Sequence, residues 1–384
     1  MGNRPDRGVG RRSRVRLVVA LVVVLAVAAG VVAYLVGGRP DRSTQPQPSP
    51  PASTASPSPS VSSTPSPSTG AGQLRAVAPD GNDDAAGTPE APWRSLAKAL
   101  PSLGPGDTLT VDDGTYDERL TDLTLRPGTQ SEPIEVVAAP GTQPLIRGLL
   151  WLRDADYWHI SGINVTWSSD NRDNEHMVKF DGGTGWSLTD GEIWGAESYA
   201  GILVTGDPKD WRLADLFVHS TKKTHGVNQD HLIYVSSGFG GGVIERSILT
   251  DSKNGRAIKI GSPSLGTERV GNVVIRYNTM FSNLGPSNIQ LSGAASGNRI
   301  YRNIMSRSSD DEPNVSAYRL TGRGNLVYDN VTFDSIGPIT EDQPGLVDMG
   351  GNLDRDPEFS STSSDDYRPK DPVAARYGAF APRA

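Results

Sequence analysis

Val274-Ile275-Arg276-Tyr277-Asn278 returns as Arg299-Ile300-Tyr301-Arg302-Asn303 and again as Leu326-Val327-Tyr328-Asp329-Asn330. In each copy an aliphatic residue is followed three places later by Asn at a turn position. Counterparts without the Asn surround Ile160, Leu188, Leu213 and Ile244. The anchors Ile160, Leu188, Leu213, Ile244, Ile275, Ile300 and Val327 are 28, 25, 31, 31, 25 and 27 residues apart. A fixed unit with loops of differing length on one edge is the sequence form of a solenoid.

A second pattern alternates with the first. Met177-Val178-Lys179-Phe180, Gly201-Ile202-Leu203-Val204, Leu232-Ile233-Tyr234-Val235, Ala257-Ile258-Lys259-Ile260, Asn288-Ile289-Gln290-Leu291 and Ala317-Tyr318-Arg319-Leu320 each read as a short strand of period two, with one face inward and one outward. Strands of four or five residues joined by Gly-rich junctions are too short for a helical repeat. A single-stranded parallel β-helix satisfies both patterns, because each coil pairs its backbone with the coils above and below at about 4.8 Å. Asn278, Asn303 and Asn330 then stack at one corner, where Asn is expected to tolerate the left-handed backbone and to bond the next Asn. An ordinary β-sandwich is the competing fold, but sandwiches rarely hold a coil-length repeat over so many units.

The chain has 384 residues and no Cys, which excludes disulfides, thiolate metal sites and a Cys nucleophile. Residues 1–16 are a basic tail carrying Arg4, Arg7, Arg11, Arg12, Arg14 and Arg16. The uninterrupted apolar run 17–36 is long enough to cross a bilayer core as a signal-anchor helix, and the Arg bias puts the N-terminus inside. Cleavage at Ala26-Val27-Ala28 is the alternative; it would leave apolar residues on the mature end. Residues 37–73 form a Pro/Ser/Thr-rich linker, and 74–384 the β-helix domain. That domain carries 42 acidic and 29 basic residues. A surface of net charge −13 argues against nucleic acid as a partner and leaves anionic ligands to local basic sites.

The region after the linker reads Ala76-Val77-Ala78-Pro79-Asp80-Gly81-Asn82-Asp83, then Thr88-Pro89-Glu90-Ala91-Pro92-Trp93-Arg94-Ser95-Leu96-Ala97-Lys98-Ala99-Leu100, then Gly104-Pro105-Gly106-Asp107-Thr108-Leu109 and Gly114-Thr115-Tyr116. It resembles the opening of secreted right-handed parallel β-helix proteins of the pectate-lyase-like superfamily. Asp356-Pro357-Glu358-Phe359 and Asp366-Tyr367-Arg368-Pro369 resemble their closing segment. Read from the residues alone, this opening is a first strand, an amphipathic capping helix around Trp93 to Leu100, and a turn into the first coil. The resemblance implies a right-handed coil with the Asn corner between its second and third sheets. The alternating strands are then the first sheet, the usual floor of a carbohydrate groove.

The outward column of that floor reads Lys179, Leu203, Tyr234, Lys259, Gln290 and Arg319. Loops add Lys222, Lys223, His225, Asn228, Asp230 and His231, then Asp251, Lys253, Asn254 and Arg256. For a uronate lyase the base removes the C5 proton while the carboxylate is neutralised. Lys259 is the candidate base, its pKa lowered by burial or by the nearby cations Arg256 and Lys253. Arg256 is the candidate carboxylate clamp and His231, beside Asp230, a candidate proton carrier. Lys179, Tyr234, Gln290, Arg319 and Lys253 are candidate substrate contacts. Ca²⁺ on groups such as Asp173, Asn174, Glu175 and Asp230 is the alternative neutraliser, although Asp and Asn in turns more often serve the backbone.

Hydrolysis ranks lower. Polygalacturonases resemble the chain only at His225-Gly226 and Arg256-Ala257-Ile258-Lys259, and no carboxylate pair can be nominated. The alternative of another class is a non-catalytic surface module that binds polysaccharide. Its candidate platforms are Trp151, Trp158, Trp167, Trp186, Trp194 and Trp211, of which Trp158, Trp186 and Trp211 share one repeat position. A monomer acting on or binding polysaccharide outside the cell is the expectation. The identity of the sugar, the need for metal and catalysis itself stay open.

Overall fold

The computed structural model describes residues 72–383 apart from 173–174, 223–225, 227–228, 266–268, 309–311 and 338–343. The basic tail, the apolar run and most of the linker lie outside these residues. So do the loop candidates Lys223, His225 and Asn228 and the calcium candidates Asp173 and Asn174. Among the described residues no helix is long and apolar enough to cross a membrane.

Among the described residues, the short strands of three long sheets wind into about eight turns of a parallel solenoid with three faces. Each turn passes through an eight-stranded first sheet, an eleven-stranded second sheet and a ten-stranded third sheet. The anchor residues pair in one register along the second sheet, from Ile160↔Leu188 and Leu188↔Leu213 to Ile300↔Val327. Ile202, Ile233, Ile258 and Ile289 form an inward column of the first sheet, all fully buried. Period two therefore dictates the interior as expected.

The corner between second and third sheets holds the Asn ladder. Asn278 Nδ2 donates to Asn303 Oδ1 at 3.1 Å, Asn303 Nδ2 to Asn330 Oδ1 at 3.0 Å, and Asn330 Nδ2 to Asn352 Oδ1 at 3.0 Å. Each amide also closes its own corner, as when Asn303 Nδ2 reaches the Ile275 and Tyr301 carbonyls. The left-handed backbone, however, falls on the residue before each Asn. Tyr277, Arg302 and Asp329 have φ of 55°, 59° and 52°. The Asn is selected here for its buried amide bonds rather than for tolerance of positive φ.

The shared Trp position is interior. Trp158, Trp186 and Trp211 are buried, with Trp186 and Trp211 stacked at 5.5 Å and 14°. Gly242 continues this column one coil on, because a Cβ there would sit 2.0 Å from the Trp211 ring. These three rings fill the core and offer no sugar platform.

At the N-terminal end the helix is shorter than its amphipathic pattern suggests. It spans Leu96–Ala99, capped by the Ser95 side chain, and a 3₁₀ turn Leu100–Ser102 follows. Trp93 is extended and bridges Val77. At the other end the last thirty or so residues fold back over the third sheet. Tyr377 and Ala374 cluster with the outward Ile304 and Val331. Arg246 then donates to the Ala381 carbonyl at 2.7 Å, and Arg383 to Asp215 at 2.5 Å. This strap explains why Ile304 and Val331, on the outer face of the third sheet, are apolar, which a single-core reading of the repeat does not anticipate.

Candidate active site

The outward column of the first sheet is Trp151, Lys179, Leu203, Tyr234, Lys259, Gln290 and Ser316, one residue per coil in unbroken register. Its last member corrects the expected one. Strand Val315–Tyr318 pairs Val315 with Ile289 and Ser316 with Gln290, three residues earlier than the alternation around Tyr318 suggested. Arg319 lies past the strand in a left-handed turn with φ 49°, packed over the exposed Tyr318 ring. The buried amide of Asn288, which donates to Asn314 Oδ1 at 2.6 Å, fixes that register. The copy Asn314-Val315-Ser316-Ala317 of Asn288-Ile289-Gln290-Leu291 was the available signal.

The floor is recessed rather than fully open. Leu203, Gln290 and Ser316 expose only 6%, 5% and 2% of their surface. Lys259 and Tyr234 are partly exposed between them. Lys259 Nζ lies 4.9 Å from the centre of the Tyr234 ring; burial raises the Tyr234 pKa and Ser262 opposes the shift. Burial, assisted by the Arg256 charge, pushes the Lys259 ammonium down to about 8.

Arg256 enters from the turn between third and first sheets and is almost wholly buried. Its Nε donates to Ser287 Oγ at 2.9 Å, and its Nη2 lies 3.5 Å from Glu312 Oε2. Ser287 in turn meets Ser316 Oγ at 2.8 Å. The turn is tight enough that a Cβ on Gly285 would fall 2.2 Å from the Gly255 carbonyl. Glycine at 285 therefore permits the close stacking of coils that brings Arg256 beside Lys259. Burial lowers the Arg256 pKa while Glu312 opposes the shift; a guanidinium so placed stays cationic.

His231 begins the strand that ends past Tyr234 and is buried. The Arg256 backbone N–H donates to its Nδ1 at 3.1 Å, so Nε2 carries the ring proton. That Nε2–H meets no acceptor among the described residues. Burial first, then the charges of Lys259 and Arg256, hold the imidazole well below its ordinary value. It is neutral at physiological pH.

Lys259, Arg256, His231, Tyr234 and Gln290 therefore come together. Two other candidates do not join them. Lys253 ion-pairs with Asp251 on the exposed rim. Lys179 lies three coils from Lys259, bonded to Asp181 at 3.0 Å and 5.4 Å from the Trp151 ring centre. The sequence reading missed Glu312, Ser287 and Ser262, polar partners supplied by turns with no periodicity. Among the described residues no three His, Asp or Glu side chains converge to hold a metal. Glu175 is paired with Arg119 at 2.5 Å, and Asp230 accepts from Asn254 at 2.6 Å.

Fold and floor define a right-handed parallel β-helix of the pectate-lyase-like kind. Residues 75–191 match the family model described as a Pel9A-like right-handed β-helix region. The chain is similar to pectate lyase PEL9 of Emericella nidulans, 32% identical over 109 residues, which is 23% of this chain and 27% of that protein. It is also similar to the uncharacterized protein YwoF of Bacillus subtilis, 38% identical over 65 residues, 17% of this chain and 14% of that one. The matches thus span about a quarter or less of these relatives' length. Among solved structures, pectate lyase Pel9A superposes with a TM-score of 0.54 at 16% identity, covering 77% of this chain and 84% of that one. XylC in complex with xylose gives 0.55 at 12% identity, covering 73% and 68%. At such identities the likeness is one of fold.

Proposed function

We propose that this chain is an extracytoplasmic polysaccharide lyase that cleaves a uronate-containing polymer by β-elimination, with Lys259 as the base. The observation that carries the reading is a recessed lysine, pushed down to about 8, directly beside a buried arginine. A base of that pKa is partly deprotonated near neutral pH, where acid–base catalysis is most effective. Arg256 supplies fixed positive charge where the substrate carboxylate gathers electron density as the C5 proton leaves. His231, uncharged, bonds the Arg256 backbone and adds no competing cation. Gln290 and Tyr234 flank Lys259 on neighbouring coils, within reach of one sugar ring at about 4.8 Å per coil.

Neutralisation of the substrate carboxylate by Arg256 is supported by its burial and by its charge acting on Lys259. The likeness to a pectate lyase supports polysaccharide as the substrate class. The interior position of the Trp158, Trp186 and Trp211 stack takes these three rings from a purely binding module, while Trp151 stays on the groove floor beside Lys179. The protein is proposed to act as a monomer tethered by residues 17–36, with the domain outside the membrane. That rests on the apolar run and the Arg bias before it.

The test of activity is the full-length chain, purified in detergent, on a panel of uronate polymers, with the 4,5-unsaturated product followed in the ultraviolet. Binding of a polymer without product rejects the lyase reading in favour of the binding module. The orientation is tested by protease on intact cells. Release of the domain is expected, and its protection would reverse the assignment.

A further inference from the structure

Beside a base, the elimination needs a proton for the departing sugar. We infer that Tyr234 donates that proton and, with Lys259, restricts the protein to uronates whose C5–H and C4–O bonds lie on the same face of the ring. The inference rests on the lyase reading above and names its substrate class.

Tyr234 and Lys259 are direct register partners on adjacent coils. Both leave the same outward face of the first sheet, and the amine sits 4.9 Å from the phenol ring centre. Ser262, on the turn that follows the Lys259 strand, acts on the phenol in the direction opposite to burial. Burial raises the phenol's pKa, so the hydroxyl keeps a proton to give.

The step balances without any further reagent. The C5–H bond breaks and its proton passes to neutral Lys259 Nζ. The electron pair becomes the C4–C5 double bond, and the C4–O4 bond breaks with its pair on O4. O4 takes the Tyr234 proton, and the Lys259 ammonium then returns a proton to the phenolate through solvent.

Both groups approach the sugar from the floor. A base below the ring takes a C5 hydrogen that points down, and a donor below the ring reaches only a C4 oxygen that points down. The elimination is therefore syn. In 1,4-linked D-glucuronate and D-mannuronate those two bonds are cis. In D-galacturonate and L-guluronate they are trans and call for a donor on the opposite face.

The test uses the full-length chain on polyglucuronate, polymannuronate, polygalacturonate and polyguluronate. Cleavage of at least one of the first two is expected at ~100-fold or more the rate on the last two, the scale of an acid catalyst's contribution. Cleavage favouring the trans polymers, abolished in Lys259→Ala, would leave the lyase reading standing and overturn this one. Cleavage of none would overturn both.

Tyr234→Phe gives the second arm. It is expected to lower kcat by ~100-fold on the cleaved polymer, with KM changed by less than about threefold. On a synthetic uronate of the same configuration bearing 4-nitrophenolate at C4, a leaving group that needs no proton, most of that loss should vanish. Equal losses on both substrates would overturn the donor role.

Discussion

The backbone N–H of Arg256 donates to Nδ1 of His231 at 3.1 Å. One coil thereby fixes the tautomer of a buried imidazole on the next. The same bond ties the residue that supplies the site's positive charge to the strand that carries Tyr234. A displaced Arg256 would lose this bond together with that to Ser287, so the guanidinium is held from its backbone and its head. Such two-point support is what a group acting on developing charge requires.

The pH–rate profile follows from Lys259. A base must be neutral to act, so kcat/KM should rise with pH through about 8, the value to which burial and Arg256 push this amine, and level off above it. Initial rates between pH 6 and 10 measure this. A profile that falls through that range would remove Lys259 as the base.

Stability should respond to His231 with the opposite experimental handle. Its pKa is depressed in the folded state, so below the unfolded value of about 6.5 the unfolded chain binds a proton that the folded chain refuses. Stability is then lost as pH falls beneath that point, by up to about 1.4 kcal/mol per pH unit for this residue alone. Denaturant titrations between pH 7 and 5 on the wild type and His231→Asn should show a shallower slope in the variant. Identical slopes would mean that His231 is protonated in the folded state.

Asn303→Ala should damage the fold rather than the chemistry. It removes the acceptor for the Asn278 backbone N–H and side chain, and the donor to the Ile275 carbonyl. Buried groups left without partners cost about 1–3 kcal/mol each. A loss of roughly 3 kcal/mol in a denaturation experiment is expected, with the activity of the remaining folded protein little changed. A loss under about 0.5 kcal/mol, typical of an exposed position, would show that the ladder contributes little.

The coil interior was legible because two physical periods write it directly. Alternation put Ile233, Ile258 and Ile289 inward, and the spacing of Asn278, Asn303 and Asn330 placed one corner. The residue that bends backward at that corner was not legible, since Tyr277, Arg302 and Asp329 share no side-chain chemistry. Arg319 was misassigned because Ala317-Tyr318-Arg319-Leu320 alternates as well as its true neighbour. Only the buried Asn288–Asn314 bond distinguishes the two registers. Lys259, Tyr234 and Gln290 were readable from the strand pattern. Glu312, Ser262 and Ser287 sit in turns whose course is set by the stacked coils, and nothing periodic announces them. The strap from Ala374 to Arg383 lay hidden for a related reason, as its partners Ile304 and Val331 face outward and are apolar only because the strap covers them.

The central claim is that Lys259 takes the C5 proton, and the most direct measurement is the rate of unsaturated product formation by Lys259→Ala with and without an added small primary amine. The account predicts a fall of roughly 100-fold or more, the scale of a lost general base, with unchanged folding and partial recovery as methylamine fills the vacated space. A Lys259→Ala protein that forms the product at the wild-type rate would contradict it.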